Sequence, residues 1–470
     1  MDGPACPGCR ERDARIAELE RRVAELEALV RDLAARLGIN SSNSSVPPSA
    51  NPLDAPKPVV KKPSGRQPGG QPGHPPHLKQ LVPPDRVKEV IPFIPTRCRR
   101  CQAALPAQLG PHDPAPTRFQ VAELPPIQAE ITEYQGHART CPCCGAVTQA
   151  AIPADLRAHG CGPRLTTTLV YLTGRHHLPK RAAEEICEDV FGVPIALGTI
   201  AALEQEVSAA LAPAHAQALA AVQEAAVKNV DETSWKEGGK KRWLWVAATT
   251  TVAAFVIQGT RSLLGLATLL SYTVHGILCS DRWSVYGCWP VLWRQVCWSH
   301  LKRDFRKCLE RGGPGVFVGR AGLRIVRRVF KAWHLFRGGG LSRPQLQKRL
   351  DPVARHLRQV LDAGRACADS KTATFCSNLV DLEPALWRFV ITAGVEPTNN
   401  HAERVLRRGV LWRKISFGCH SAAGCRFVER MLSVTQTLRL QDRNILQFLI
   451  EAVHNHRANL PIPSLLPVAG

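Results

Sequence analysis

Four short runs between Val227 and Ser280 constrain this chain most: VKNVDETSW, KRWLWVAATT, TVAAFVIQG and, after the helical stretch SLLGLATLLSYT, HGILCS. Each is rich in β-branched, aromatic or small apolar side chains and bounded by glycine, lysine or threonine, the pattern of strands rather than helices. The first three read as antiparallel neighbours and the fourth as a further buried strand. Asp231 and Asp281 then fall at the ends of two strands of one sheet, where α/β folds place their chemistry. An aspartate that only caps a turn is the ordinary alternative.

The charge-poor stretches Trp243 to Thr260 and Ser262 to Ser280 reach membrane-spanning length. Thr249, Thr250, Thr251, Gln258 and His275 would then sit in hydrocarbon, so a sheet is the better reading and no membrane partner is expected. The whole chain has 470 residues, with 61 Lys or Arg against 39 Asp or Glu and a net charge of +22. That length and its 44% hydrophobic content exclude a small stapled scaffold and a wholly disordered chain. The positive excess points to a polyanion, with nucleic acid first among candidates. It is concentrated: Lys302 to Arg349 holds fourteen Lys or Arg and two acids, and Lys57 to Arg100 holds ten and two. The N-terminus lacks the apolar run of a secretory signal, so a cytoplasmic protein is expected. In that reducing compartment the 17 cysteines point to metal binding rather than disulfides.

Ahead of the sheet, Ile16, Leu19, Val23, Leu26, Val30, Leu33 and Leu37 alternate steps of three and four, a heptad seam that predicts a coiled coil and a homo-oligomer. NSSNSSVPPSANP follows as a linker. Cys98-x-x-Cys101 and Cys141-x-x-Cys144 supply four thiolates, enough for one structural Zn²⁺, with Cys143 an open alternative and Cys6/Cys9 a weaker pair. The sequence AAEEICEDVFGVPIALGTIAALEQEV reads as two helices about a Gly192 turn, the pattern of a helix-turn-helix or of a packing hairpin.

Beyond the basic stretch, EPTNNHAERVLRRGVLWRKISFG starts a helix near Pro397 to Asn399 that carries Glu403, Arg404, Arg407, Arg408, Arg413 and Lys414. Arg407 lies one turn from Glu403, which makes a surface ion pair the ordinary reading of that glutamate. Two aspartates and a glutamate brought together can hold two Mg²⁺ or Mn²⁺ ions for displacement at phosphorus. Lys302, Arg303, Asn399, Asn400 and the arginines and lysine of the helix would then hold the DNA backbone. His300 and Asp304 follow the strand-like RQVCW and are weaker candidates to face the site. Seven of the ten tryptophans lie between Trp235 and Trp298, either filling the sheet core or stacking on flipped bases.

VDETSWK with RWLWVA, SDRWSVY, CWSHLKRDF and EPTNNHAER followed by LWRKISFG resemble the bacterial DDE transposases of the insertion-sequence-sixty-six family. The resemblance extends from the N-terminal heptads through GGQPGH and the cysteine pairs to FVERMLSV. It implies an α/β ribonuclease-H-like catalytic core with a helical insertion, preceded by a helical DNA-binding region, a small zinc-binding module and an N-terminal coiled coil. It carries the family's acids onto Asp231, Asp281 and Glu403, rather than Glu232, Glu396 or Glu429. It further implies cleavage at transposon ends by water, transfer of the 3′-hydroxyl into target DNA, and small companion proteins of the same element. Cys98-Arg-Arg-Cys101 departs from the pattern, because no glycine follows it as Gly145 follows Cys144.

The expected partition is 1–39 coiled coil, 40–96 basic linker, 97–150 zinc module and 151–226 helical with the helix-turn-helix pattern. Residues 227–440 would form the catalytic domain, with a helical basic insertion at about 301–395, and 441–470 a terminal helix and tail. A catalytically inactive DNA-binding regulator and a structure-selective nuclease of related fold are the alternatives to a transposase.

Overall fold

The computed structural model describes residues 81–467 other than 112, and the helical positions 15, 16, 18–23, 25, 26 and 29. Ile16, Leu19, Val23 and Leu26 of the heptad seam are exposed on that helix. Val30, Leu33, Leu37, the linker and the Cys6/Cys9 pair lie outside the described residues. The chain divides into two compact units, Lys57–Gln128 and Met1–Pro56 with Ala129–Gly470, so the division falls inside the 97–150 segment.

In the smaller unit the described backbone is mostly extended. Gln120 exchanges two hydrogen bonds with the main chain of Val82, at 2.8 and 3.1 Å. The turn after Cys98 is closed by Gln102 N–H donating to Cys98 O and Cys98 N–H donating to Ala103 O, both at 2.9 Å. Gln102 takes φ +60, the left-handed conformation that a glycine would adopt freely.

In the larger unit, β1 (Ala138–Thr140) and β2 (Val147–Gln149) form a hairpin around the second cysteine pair. Its turn repeats the same two bonds, Gly145 N–H to Cys141 O and Cys141 N–H to Ala146 O, with Gly145 at φ +70. The first knuckle is therefore regular despite lacking glycine.

After the single helical turn Ala154–Ala158, four longer helices follow: α1 (Pro163–Val170), α2 (Lys180–Phe191), α3 (Leu197–Ala210) and α4 (Ala212–Glu224). Gly192, at φ +67, ends α2 as the turn chemistry requires. α3 has no Lys or Arg; it buries Ile200, Leu203 and Val207, while its acids pair inward, Glu204 with Lys180 and Glu206 with Arg457.

The sheet follows the expected strands. β3 (Val227–Glu237), β4 (Lys240–Ala248) and β5 (Ala253–Gln258) are successive antiparallel neighbours. Gly238 and Gly239, both with positive φ, make the tight turn between the first two. After α5 (Leu263–Leu270) the chain crosses to the other side of β3, where β6 (Ile277–Ser280) and β7 (Arg294–Val296) add in parallel. The order β5-β4-β3-β6-β7 is a five-stranded mixed sheet, compatible with a ribonuclease-H-like core.

The helices α6 (Trp298–Glu310), α7 (Val316–Arg337), α8 (Arg343–Arg365) and α9 (Ser370–Asp381) then build a second apolar core around Phe305, Ile325, Leu357 and Cys376. The chain returns to the sheet through α10 (Asn400–Ser416), which packs on β3 and β4, and α11 (Ala422–Leu440), which packs on β5; α12 (Ile445–Arg457) closes the fold. The charge-free stretch from Trp243 to Thr260 is spent on two strands, and among the described residues no helix is long and apolar enough to cross a membrane. Trp235, Trp245, Trp289 and Trp298 are buried core residues.

Candidate catalytic site

Strand register brings the two aspartates together. Asn229 of β3 pairs with Cys279 of β6 in parallel, and continuing that register one residue past the end of β6 sets Asp281 level with Asp231. Asp281 follows the last residue of β6, and its Oδ1 accepts the Trp283 N–H at 2.9 Å, a turn that fixes the carboxylate at the strand end. Asp231 Oδ1 accepts the Glu232 N–H, also at 2.9 Å.

Glu403 arrives from 122 residues downstream of Asp281, on the first turn of α10. The buried Asn399 anchors that turn: its Nδ2 donates to Val230 O at 2.7 Å, and its Oδ1 accepts Asn229 Nδ2 at 3.0 Å. Glu403 N–H in turn donates to Asn399 O at 3.3 Å, and Trp298 N–H, at the start of α6, donates to Pro397 O at 2.9 Å. The helix carrying the glutamate is therefore tied to the residue preceding Asp231. Glu403 Oε1 lies 3.7 Å from His300 Nδ1 of α6, a contact that becomes an ion pair only when the imidazole is protonated.

The electrostatics fit a cation site. Burial pushes Asp231 well above the usual carboxylate range, and the negative charges of Glu232, Glu403 and Asp281 push it further. A bound divalent cation would relieve that accumulation. His300 is held below its ordinary value by burial and by Arg303, against the pull of Asp281, Glu403 and Asp304.

Glu232 is committed elsewhere. Arg261 donates to it at 2.5 and 2.9 Å and Tyr286 OH also donates to it, while the Arg261 guanidinium stacks 4.0 Å from the Trp283 ring and 4.9 Å from that of Trp243. Glu396 pairs with Arg337, and Glu429 accepts the Ile257 N–H of β5. Glu232, Asp281 and Glu403 all act electrostatically on Asp231, whereas Glu396 and Glu429 do not.

Lys302, Arg404, Arg407 and Lys414 are exposed, and Arg303, Asn400 and Arg408 are partly so. Two expected DNA contacts are spent inside the protein. Asn399 is 1% exposed with both ends of its amide bonded as above. Arg413 turns back to β3, where its Nη1 donates to Thr233 Oγ1, Ser234 O and Ser234 Oγ at 2.5–2.8 Å. Polarity and position had placed both on the DNA side; burial of the helix face against the strand decides otherwise. Asp304 is held by Arg282. Sequence reasoning missed the Asn229–Asn399 pair and the buried Cys297, because each acquires its meaning from a partner far away in the chain.

At the cysteine pairs, backbone N–H groups of Cys101 and Arg100 hold the Cys98 thiol below its ordinary value, and those of Cys144 and Cys143 do the same for Cys141. The side chain of Cys144, rather than that of Cys143, is the one hydrogen-bonded to Cys141.

No match was found among curated proteins. A family model described only as of unknown function matches residues 5–80. The model of the transposase IS66 family matches residues 160–426, a span that holds all five strands of the sheet, both aspartates and Glu403. The chain belongs to the transposase IS66 family.

Proposed function

We propose that this transposase cuts DNA at transposon ends with water and joins the freed 3′-hydroxyl to target DNA, using Asp231, Asp281 and Glu403 as its catalytic carboxylates. The observation that carries the reading is the clamp of Asn399 on Val230, which ties the helix of Glu403 to the strand whose register sets Asp231 beside Asp281. The three carboxylates would hold two Mg²⁺ or Mn²⁺ ions, which when bound stabilise charge on the attacking and departing oxygens. The protein's own part is positional. Asn399 fixes the pitch of α10, and the Asp281 turn fixes one carboxylate. Lys302, Arg303, Asn400, Arg404, Arg407, Arg408 and Lys414, all at least partly exposed, would bind backbone phosphates.

The same reading assigns a structural Zn²⁺ to the cysteine pairs, on their spacing and on the matched turn each adopts, with Cys98, Cys101, Cys141 and Cys144 as ligands. It assigns self-association to the N-terminal heptads, companion proteins to the same element, and the bacterial nucleoid as the place of work.

The test is cleavage and joining of labelled DNA bearing the element's own ends, with Mg²⁺ or Mn²⁺. The intact chain should cut and join. Asp231→Asn, Asp281→Asn and Glu403→Gln should each lose both steps, a fall of roughly a thousandfold or more, while end binding persists. Tight end binding with no chemistry in any protein would instead favour a regulator; equal cutting of ends and random sequence would favour a structure-selective nuclease.

A further inference from the structure

The proposed chemistry has no use for Cys297, yet its thiol sits where β7 ends, α6 begins and α10 starts. Cys297 stands at the N-cap position of α6 without a side-chain cap hydrogen bond, and its Sγ accepts the Asn399 N–H at 3.1 Å. The Cys-x-x-His spacing brings His300 onto the same side of the first turn. There His300 Nδ1 is buried without a hydrogen-bond partner, 3.7 Å from Glu403 Oε1. One ligand atom each from Cys297, His300 and Glu403 lies within 4.8 Å of the other two.

A tetrahedral zinc with bonds of about 2.0–2.3 Å needs ligand atoms about 3.6 Å apart, so the nitrogen–oxygen pair is already spaced for it. A small rotamer adjustment brings in the sulfur. The side chains of His300 and Glu403 are 25% and 41% exposed, which leaves a way in and an open fourth position for water. The donor set also discriminates. Thiolate plus imidazole suits a borderline-soft ion, whereas Mg²⁺ demands an octahedron of oxygens that Cys297 and His300 do not offer.

We propose that Cys297, His300 and Glu403 form a binding site for a thiophilic divalent ion of the Zn²⁺ class, and that its occupation draws Glu403 away from Asp231 and Asp281 and switches the enzyme off. The binding site stands on its own geometry; the switch rests on the reading of Glu403 as a catalytic carboxylate.

Equilibrium dialysis of the full-length chain at micromolar free Co²⁺ tests the site, with cobalt counted per chain. The intact protein should hold one more ion than Cys297→Ser or His300→Ala, and the extra ion should carry a sulfur-to-cobalt absorption band. Any cobalt at the other cysteine pairs cancels in the difference. Equal counts in all three proteins, each with the intact protein's circular dichroism, would overturn the proposal. In Mg²⁺-dependent cleavage, the Zn²⁺ concentration that halves the rate should rise about tenfold or more in both variants, the scale that loss of even an outer partner reaches. An unchanged half-inhibition with the cobalt difference intact would overturn the switch and the role of Glu403 while the binding site stood.

Discussion

Replacing Asn399 by alanine removes the amide that serves Val230 O and Asn229 at once, and leaves a buried carbonyl and a half-buried amide with nothing in place of it. Each such loss costs on the order of 1–3 kcal/mol, so the variant should lose about 2–4 kcal/mol in denaturant unfolding. Because the clamp also sets the first turn of α10, cleavage should fall further than DNA binding does. A variant with lowered stability but an unchanged rate at saturating metal would show that the clamp only holds the fold. At this scale the sequence was partly legible. Asp281 could be picked out because it follows a buried strand; Asp231, expected at a strand end, instead lies inside β3, which runs on to Glu237 because it stays paired with β4 that far. Asn399 could not be told from Asn400, since the difference between them is a carbonyl at residue 230 that no local pattern reveals. Arg413 was misread for the same reason: an arginine near the end of a helix looks solvent-directed until a strand with two hydroxyls lies beneath it.

The helix α10 approaches β4 closely at Gly409, where an added Cβ would stand 2.4 Å from Leu244 Cδ2 in the buried face of the sheet. Gly409→Ala should therefore cost about 1–3 kcal/mol by overpacking and lift the helix from the sheet. A fall in melting temperature together with a fall in cleavage rate is the expected pair of readouts. The neighbouring contact between α4 and α11 is sensitive to protons. His215 Nδ1 lies 3.0 Å from Ser433 Oγ, which also accepts the Phe255 N–H of β5, and burial, reinforced by Arg430, holds the imidazole down to about 4. Its folded value lies below the unfolded one, so the unfolded chain binds the proton first as pH falls. The neutral contact is fully present above pH 6.5 and is lost as pH drops toward 4. Measured by denaturant unfolding, the stability of the intact chain relative to His215→Asn should rise by about 3 kcal/mol from pH 4 to pH 7. A flat difference would mean that the buried imidazole is not neutral. The strands and helices around these contacts were legible from composition and periodicity, because each run is long enough to show its own repeat. Their partners were not: the pairing of α4 with α11 joins residues 218 positions apart.

At the scale of the whole molecule, the charge excess has a definite address. Arg320, Arg324, Arg327, Arg328 and Lys331 are all exposed along α7, on a helix whose other face is packed in the second core. If this face meets DNA, Arg324→Glu with Arg328→Glu should weaken binding to all sequences alike and flatten the dependence of log affinity on log salt by about two units. An unchanged slope would remove α7 from the interface. The sequence by itself determined the strand runs, the two aspartates, the heptads, the cysteine pairs and the placing of the basic segment, because hydrophobic period, turn residues and charge are local properties written in neighbouring positions. Only the tertiary structure decided that β6 pairs with β3 in the register that levels Asp281 with Asp231, and that Asn399 and Arg413 face inward. It also brought Cys297 and His300 to Glu403. Each of these depends on atoms supplied by segments tens to hundreds of residues away, and what a polar side chain does is settled by whichever partner or solvent the fold sets against it.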